Sequence, residues 1–459
     1  MAQYHIWTVG CQMNKADSDR LGSALEDLGY EFTNDAEQAD MVILNSCVVR
    51  QGAEDKVAAR LNSLQGWKRN NPNNTLTLMG CMVGPKTDEL EKQFAHVDFF
   101  LRPQEFMPLV EFASERQGVP CSTDLDLLPP TQPQVSAYVP VIHGCDDFCT
   151  YCIVPYRRGR ERSRSIQDLV RESEMLSRRG VKEITLLGQI VDRYGHDLEE
   201  DTDLADLLNA INSVENIHRV RFLTSHPRDM SQRIIDAVAH LEKACEWINL
   251  PFQSGDNAIL NAMRRPYRIE DYLSLVERIR DAIPDVALST DVIVGFCGET
   301  EEQFENTIAV LEKIRFDTVF VAAYSTRTGT IADRKFQDDI PVKEKLRRKK
   351  IIEELQERIA TEKNAPLLGE RVEILVEKKQ KEKWMGRTRT NKLVFFDDSR
   401  DWTGKLVEVD VTHTGPWSLQ GNLPDTTSIS DTIDGIIEYS HFKDDTHQSK
   451  NEIPLKTIT

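Results

Sequence analysis

Short apolar runs alternate with polar segments of helical length near the start of the chain. The runs "YHIWTVG" (4–10), "MVILN" (41–45) and "TLTLMG" (75–80) have the length and composition of buried strands. Strands that alternate with helices predict a parallel, doubly wound sheet, which we assign to residues 1–122. Three prolines in "LLPPTQP" (127–133) then break the pattern and indicate a linker at 123–134.

The alternation resumes beyond the linker with longer units. Six apolar runs predict six further strands: "SAYVPVI" (136–142), "EITLLG" (183–188), "RVRFLT" (219–224), "EWINLP" (246–251), "VALSTDVIVG" (286–295) and "TVFVAAY" (318–324). We therefore expect a partial (β/α) barrel of six units at 135–365, with its site at the carboxyl ends of the strands. Ser165 is expected to cap a helix over 166–179, and a charged helix is expected over 342–363.

The last part of the pattern is short and rich in β-type residues. The runs "RVEILVE", "LVFFDD", "KLVEVDVTH" and "SLQGNL" predict a small OB-like β-barrel at 366–424, a common nucleic-acid-binding module. Residues 378–392 carry seven Lys or Arg against one Glu, with Trp384 among them, and form a candidate basic patch. Residues 425–459 are acidic and are expected to be flexible in part.

The net charge of −18 argues against nucleic-acid binding by the whole surface. A local basic face remains compatible with that charge, because screening limits each charge to about 8–10 Å. No apolar run approaches the roughly 20 residues that cross a bilayer, and the start lacks the features of a signal peptide. We therefore expect a cytoplasmic protein with no membrane contact, whose clustered cysteines serve metal or chemistry.

Three cysteines lie within ten residues in "HGCDDFCTYC" (143–152). Cys145, Cys149 and Cys152 on one loop can hold three corners of a cubane iron–sulfur cluster, a cofactor normally built on four ligands. The missing fourth ligand would leave one iron open to a non-protein group. A structural zinc site with His143 as fourth ligand is the main alternative, because such sites are closed and four-coordinate. Three unrelated buried cysteines are the remaining interpretation.

Three further cysteines lie far apart in sequence but in similar contexts. Cys11, Cys47 and Cys81 each come at or just after the carboxyl end of a predicted strand. In a parallel sheet those ends share one edge, so the three thiols are expected to converge there. Scattered core cysteines are an equally good interpretation of the residues alone.

The CxxxCxxC spacing after the first strand of a (β/α) barrel resembles the signature of radical S-adenosylmethionine (SAM) enzymes. In that family the open iron chelates SAM, and one electron from the cluster cleaves SAM to a 5′-deoxyadenosyl radical. The cofactor carries this chemistry, and the protein supplies position and electronics. The resemblance implies that Cys145, Cys149 and Cys152 hold a 4Fe–4S cluster.

Other motifs resemble the methylthiotransferases within that family. They are "GCQMNKADSDR" (10–20), "ILNSCVVR" (43–50), "GCMVG" (80–84), "VPYRRGRERSR" (154–164), "LLGQ" (186–189), "TSHP" (224–227), "LPFQSG" (250–255) and "DVIVGFCGET" (291–300). Residues 370–423 are similar to the RNA-binding TRAM domain. The resemblance implies that Cys11, Cys47 and Cys81 hold an auxiliary 4Fe–4S cluster, whose open iron binds the sulfur to be inserted.

Gln12, Met13 and Asn14 most resemble one branch of the methylthiotransferases. That branch methylthiolates carbon 2 of N(6)-isopentenyladenosine 3′ of the tRNA anticodon and uses two SAM per turnover. Branches that act on threonylcarbamoyl-adenosine or on a ribosomal protein are alternatives. The chain departs from the family pattern at Ile190, where Asn is usual, and at Cys297, where Pro is common.

Two interpretations outside this assignment stay open. One is a zinc-containing RNA-binding protein without enzymatic activity. The other is a single-cluster radical SAM enzyme in which Cys11, Cys47 and Cys81 are incidental. The sequence offers no account of Cys121, Cys245 or the tail after 424.

The resemblance also implies contacts to SAM. Tyr151 matches the aromatic position whose backbone meets the adenine, and Gly188 and Gln189 end the strand that binds the methionine amino group. Ser289 and Asp291 match positions within reach of the ribose hydroxyls. Helix capping or polar barrel networks are the alternative roles for Asp291.

RNA contacts are expected from two basic stretches. The run "YRRGRERSR" carries five arginines in nine residues, of which Arg158 and Arg164 match the family pattern. Arg387 and Arg389 belong to the basic patch. The implied partners are the anticodon stem-loop of tRNA, a reductant such as flavodoxin or ferredoxin, and a sulfur donor, with the chain acting as a monomer.

Overall fold

The computed structural model describes residues 1–48, 51–120 and 134–424. Apart from Gln134, the predicted linker lies outside the described residues. Cys121 and the tail after 424 also lie outside them.

The amino-terminal domain is a five-stranded parallel sheet in the order β2-β1-β3-β4-β5. Its elements are β1 (Gln3–Val9), α1 (Gln12–Asp27), β2 (Glu31–Phe32), β3 (Met41–Ser46), α2 (Gln51–Ser63), α3 (Gln65–Asn70), β4 (Thr75–Gly80), α4 (Asp88–Gln93), β5 (Phe99–Leu101) and α5 (Met107–Gln117). The doubly wound sheet predicted from the sequence is confirmed. The short edge strands β2 and β5 were not predicted.

The central strands of this sheet are covered on both faces. Every residue of β3 and β4 is buried. Ile43 packs with Leu21 and Leu25 of α1, whereas its neighbour Leu44 packs on the opposite face with Val57 of α2. Burial on both faces is why these strands appear in the sequence as continuous apolar runs.

The central domain is a partial barrel built from two three-stranded parallel sheets, β10-β9-β6 and β11-β12-β13. Its elements are β6 (Ser136–Pro140), β7 (Ile142–His143), α6 (Val154–Arg158), β8 (Arg162–Ser163), α7 (Ile166–Arg178), β9 (Glu183–Leu187), α8 (Leu204–Asn212), β10 (Arg219–Phe222), α9 (Gln232–His240), β11 (Trp247–Asn249), α10 (Asn257–Ala262), α11 (Ile269–Ala282), β12 (Ala287–Val294), α12 (Glu301–Ile314), β13 (Thr318–Ala323), α13 (Ile331–Lys335) and α14 (Val342–Asn364). Short 3-10 turns cover Val191–Arg193 and Ala365–Leu367.

All six strands expected from the sequence are present as β6, β9, β10, β11, β12 and β13. A parallel bridge between Val220 and Ala244 links the two sheets, so the six strands form one curved wall. Within the described ranges no pairing joins β6 to β13, and the barrel is therefore open on one side. Ser165 caps α7 as predicted, because its hydroxyl accepts a hydrogen bond from the Asp168 amide at 3.1 Å.

The carboxyl-terminal domain is a closed barrel in the order β14-β15-β16-β18-β17. Its strands are β14 (Arg371–Gln380), β15 (Lys383–Arg387), β16 (Leu393–Phe396), β17 (Leu406–Thr414) and β18 (Leu419–Asn422). The sequence pattern missed β15, because basic residues flank its short apolar centre. Trp384 on this strand is only 6% exposed and belongs to the barrel core, so it is not part of an exposed basic patch.

Buried ion pairs join the first two domains. Arg158 of α6 donates to Asp17 of α1 at 2.9 Å, and both side chains are almost completely buried. Glu172 of α7 accepts from Arg20 of α1 and from Arg164. The docking of the two domains therefore combines buried ion pairs with apolar packing, such as that of Met13 and Ala16 against Leu187.

Arginines also fix the third domain. Arg221 of β10 donates to the carbonyl oxygens of Thr388 and Arg389, and Arg219 donates to that of Arg387. Arg389 in turn forms an ion pair with Glu246 at 2.6 Å.

In the part of the chain that the structure describes, no helix combines the length and the apolar character that crossing a bilayer requires.

We expect Asp17→Asn to destabilise the docking of the first two domains. The change leaves the Arg158 guanidinium buried without its counter-charge, which costs about 3–5 kcal/mol in comparable pairs. Thermal unfolding of the apoprotein, followed by calorimetry, measures the effect as a lower melting temperature.

The matched control is Glu353→Gln, which breaks the exposed pair Lys349–Glu353 on α14. Such surface pairs contribute about 0–1 kcal/mol, so the melting temperature should hardly change. Equal effects of the two substitutions would contradict the structural importance of the buried pair.

Candidate functional site

Cys11, Cys47 and Cys81, called here the amino-terminal trio, lie at the carboxyl edge of the first sheet. Cys47 and Cys81 directly follow β3 and β4, and Cys11 precedes the first residue of α1. The register pairs Val9 with Ser46 and Ser46 with Gly80, so the three strands end at the same level. The convergence follows from the parallel order β1-β3-β4.

Two glycines allow the strand ends to come this close. A Cβ atom on Gly10 would lie 3.0 Å from the Cβ of Cys47, and 2.8 Å from the Asn14 side chain. Gly80 has a φ of +99°, and a Cβ there would lie 2.5 Å from the Ser46 carbonyl oxygen. Larger residues at either position would push the cysteine-bearing segments apart.

Asn14 connects two of the segments that carry the amino-terminal trio through hydrogen bonds. This fully buried side chain donates hydrogen bonds to the Asn45 side chain at 2.8 Å and to the Ser46 carbonyl at 2.9 Å. Its own side-chain oxygen accepts from the thiol of Cys11 at 3.2 Å. One asparagine therefore links the segments that carry Cys11 and Cys47.

Cys145, Cys149 and Cys152, called here the loop trio, lie between β7 and α6. The loop is closed by hydrogen bonds from the Cys145 amide to the Gly159 carbonyl and from the Cys152 amide to the Cys149 carbonyl. A buried arginine, Arg265, donates to the sulfur of Cys149 at 3.7 Å. The loop is thus held by its own backbone and by a positive charge.

The two trios are neighbours. Cys81 shares a small buried cluster with Val48 and with Ile153, the residue that follows Cys152. Burial, then Cys149 and in smaller part Cys81, raise the pKa of Cys152 to about 12. The segments that carry the two trios therefore adjoin each other across the domain boundary.

The donor sets fit iron–sulfur clusters. Each trio supplies thiols alone, which are the ligands that such clusters use. Burial, as the largest cause, raises the pKa of Cys81 to about 11 and also raises that of Cys145. Iron binding would replace these protons, because the ligand is the thiolate.

A single metal ion is a different case. Among the residues that the structure covers, no three His, Cys, Asp or Glu side chains are grouped so that they could hold one ion. Cubane ligands bind separate irons at the corners of a cluster, so they do not need to meet at one point. The alternative zinc site would use His143 as its fourth ligand. The Nδ1 atom of His143 contacts the Gln104 side chain. Burial and neighbouring arginines hold the pKa of His143 well below its usual value.

A cavity of about 1690 Å³ lies in front of the amino-terminal trio. Cys11 and Cys47 line it from the first domain, and Gly188, Gln189 and Asp291 line it from the partial barrel. Residues of the carboxyl-terminal barrel, Arg387 among them, complete the wall. All three domains therefore contribute to one chamber.

The predicted SAM residues fall into two groups. Gly188, Gln189 and Asp291 face the cavity. Ser289 is completely buried and accepts from Asn249, which also donates to Asp291 at 3.3 Å. Tyr151 packs against the buried cluster around Phe296. The structure places these residues, and their contacts with SAM stay predictions.

Gly188 is required by its surroundings. A Cβ at this position would lie 2.5 Å from the Cγ2 atom of Ile142 and 2.9 Å from the Cα of Val191. The neighbouring Ile190, where the family usually has Asn, is 6% exposed. It therefore presents little surface to a ligand.

The predicted RNA contacts of Arg158 and Arg164 do not fit the structure. Both side chains are buried and are engaged by Asp17 and Glu172, so they cannot reach a phosphate at the surface. Arg389 donates hydrogen bonds to the Glu246 carboxylate and to two carbonyl oxygens at the domain boundary. Arg387 lines the cavity beside Glu377, and its RNA contact stays a prediction.

Sequence reasoning missed Asp17 and Arg265. Neither belongs to a pattern that marks burial, because charged residues are normally exposed. Only their positions in the fold place one beside Arg158 and the other beside Cys149.

Known protein families match the chain in three consecutive parts. The description "Radical SAM superfamily" matches residues 139–311, "Uncharacterized protein family UPF0004" matches 3–102, and "TRAM domain" matches 367–423. These parts lie within the partial barrel, the amino-terminal domain and the closed barrel, respectively; the first ends before β13.

Full-length relatives are also similar. The chain is 49% identical over 423 residues to a tRNA-2-methylthio-N(6)-dimethylallyladenosine synthase of Dehalococcoides mccartyi (strain CBDB1), covering 92% of this chain and 99% of the relative. It is 47% identical over 439 residues to the protein of the same name in Roseiflexus sp. (strain RS-1), covering 95% and 92%.

Among solved structures, the fold is similar to the radical S-adenosylmethionine methyltransferase TsrM from Kitasatospora setae. The TM-score is 0.54 at 14% identity, over 72% of this chain and 77% of that chain. At this identity the likeness concerns the fold alone.

We expect each trio to account for about half of the bound iron, because each cluster contains four irons. Iron and sulfide are measured after anaerobic reconstitution of the wild type, of Cys11→Ala/Cys47→Ala/Cys81→Ala and of Cys145→Ala/Cys149→Ala/Cys152→Ala. The control is Cys245→Ala, a buried cysteine outside both trios that should leave the iron content unchanged. Full iron in the amino-terminal triple variant would show that this trio holds no cluster.

Proposed function

We propose that this chain, which belongs to the family of tRNA-2-methylthio-N(6)-dimethylallyladenosine synthases, methylthiolates carbon 2 of N(6)-isopentenyladenosine 3′ of the tRNA anticodon. The family is one of radical SAM enzymes that use SAM and 4Fe–4S clusters. The observation that carries the proposal is the packing of Cys81 against Ile153, the residue after Cys152, beside one large cavity that Cys11 and Cys47 line.

The proposal assigns Cys145, Cys149 and Cys152 to one cluster and Cys11, Cys47 and Cys81 to the auxiliary cluster. When bound, the clusters and SAM supply the hydrogen abstraction at an unactivated carbon and the sulfur that replaces the hydrogen. No side-chain acid or base is needed for a radical step, and we assign none. The role of the protein is to place the reacting groups around one chamber.

The residues around the trios do the positioning. Asn14 fixes Cys11 relative to the β3 segment, and the Arg158–Asp17 pair fixes α1 relative to α6. Arg265 places a positive charge beside Cys149, which would favour electron uptake by a cluster that Cys149 holds. Gly188, Gln189 and Asp291 offer the SAM contacts that face the cavity.

The domain assignment is part of this proposal. Residues 1–122 carry the auxiliary cluster, 135–365 form the radical SAM core, and 366–424 form the TRAM domain. A complete chamber within one chain supports a monomer. The chemistry requires a one-electron reductant, for which flavodoxin or ferredoxin is suited, and a sulfur donor. A cytoplasmic location agrees with a tRNA substrate.

The test uses reconstituted full-length protein and synthetic anticodon stem-loops. One stem-loop carries N(6)-isopentenyladenosine, a second carries unmodified adenosine, and a third carries threonylcarbamoyl-adenosine. With SAM, sulfide and a reductant, we expect mass spectrometry of the digested RNA to detect a 2-methylthio product from the first RNA only, since Gln12, Met13 and Asn14 match that branch.

Either amino-terminal or loop triple cysteine variant should abolish the product, whereas Cys245→Ala should retain it. A methylthio group on threonylcarbamoyl-adenosine, or on a ribosomal protein offered in the same assay, would contradict the proposed substrate. Absence of product from all RNAs with fully loaded protein would contradict the proposed activity.

A further inference from the structure

Two strongly exposed aromatic side chains line the central cavity. Phe320 on β13 is 48% exposed, and Trp417, between β17 and β18, is 57% exposed. Single exposed apolar residues are normal on a protein surface. These two belong to different domains, yet they border the same chamber as Cys11 and Cys47. Their shared location calls for a common explanation.

The direction of Phe320 follows from its strand. Val319 and Val321 pack against the barrel core, so alternation along β13 turns Thr318 and Phe320 to the other face, where both line the cavity. The cross-strand partner of Phe320 is Asp291, which also faces the cavity. Phe320 thus stands beside the predicted SAM contacts.

Trp417 is exposed on a fixed support. The buried Asn364 donates hydrogen bonds to the carbonyl oxygens of Gly415 at 2.8 Å and Pro416 at 3.3 Å. The Gly415 amide also donates to the Ser418 carbonyl. The backbone of the turn is therefore held in place while the indole remains uncovered, which lowers the entropic cost of binding a ligand against it.

The charge of the cavity differs from that of the chain. Six basic and four acidic side chains line the cavity, although the whole chain has a net charge of −18. Lys56 on α2 and Lys378 on β14 are exposed parts of this lining, on the first and third domains. Aromatic faces combined with a local positive balance suit single-stranded nucleic acid, whose bases stack and whose phosphates are anionic.

We propose that Phe320 and Trp417 are stacking platforms for unpaired bases of the substrate RNA loop, and that Lys56 and Lys378 hold the neighbouring phosphates. The inference rests on the proposed function and adds the residues that would receive the unstacked bases. Stacking on aromatic rings is tolerant of sequence, so these contacts would hold the loop open rather than select the base.

The experiment measures binding of a fluorescent anticodon stem-loop that carries N(6)-isopentenyladenosine. The full-length wild type is compared with Phe320→Leu, Trp417→Leu, Trp417→Phe, Lys56→Gln and Lys378→Gln over a salt series. We expect each Leu variant to bind about tenfold more weakly at every salt concentration, because base stacking on an aromatic ring is lost. Trp417→Phe should retain most of the affinity.

The salt dependence separates the two kinds of contact. The Leu variants should keep the wild-type slope of log affinity against log salt, because stacking releases no counterions. Each Gln variant should reduce that slope by about 0.7, the value for one phosphate contact on a single strand. A stem-loop whose loop is replaced by paired duplex should bind the wild type and the Leu variants equally.

The matched control is Leu368→Ala. Leu368 is also 57% exposed but does not line the cavity, so its loss should leave RNA affinity unchanged. Wild-type affinity in both Leu variants would overturn the stacking inference while leaving the proposed function intact. Failure of the wild type to bind the modified stem-loop would overturn both. Equal melting temperatures would establish that the variants are folded.

Discussion

The buried ion pair between Arg158 and Asp17 is the interaction on which the site depends. It joins α6, which follows the loop trio, to α1, which follows Cys11. Neither charge could be buried alone without a large free-energy cost. The first domain supplies the carboxylate and the second supplies the guanidinium, so each charge is neutralised only when the domains are docked. Burial alone would lower the pKa of Arg158, but Asp17, Cys81 and Cys11 together raise it above its usual value. The guanidinium therefore stays charged at this boundary, and Cys81 packs against Ile153, the residue after Cys152, only while the domains are docked.

The sequence was sufficient where periodicity or topology determines the structure. Continuous apolar runs identified β3 and β4 because both faces of these strands are covered. Parallel order favoured Cys11, Cys47 and Cys81 at one edge of the sheet, with scattered core cysteines as an equally good interpretation. It was insufficient where a residue type has two common environments. Arg158 and Arg164 resemble surface arginines in sequence, and nothing in the run "YRRGRERSR" shows that acidic partners lie 141 and 8 positions away. Asp17 lies in the other domain and Glu172 lies on the next helix, so both partners are known only from the folded chain.

The carboxyl-terminal barrel shows the same limit. The basic run at 378–392 has the composition of an RNA-binding patch, but part of it builds β15 and part of it fixes the barrel to its neighbour. Arg389 contacts Glu246, and Arg221 contacts the backbone on either side of it. The arginines at this boundary therefore mainly hold the carboxyl-terminal barrel against the central domain. What remains for a ligand is the smaller set of side chains that face the cavity, together with the exposed rings of Phe320 and Trp417.

The six cysteines differ in solvent exposure, and this difference affects their sensitivity to oxidation. Cys11 is exposed, Cys152 is partly covered, and the other four are buried. Oxygen species attack accessible thiolates before protected ones. Oxidation would thus begin at Cys11 of the amino-terminal trio. Oxidation there would remove ligands of the proposed auxiliary cluster, while the loop trio would keep its own thiols.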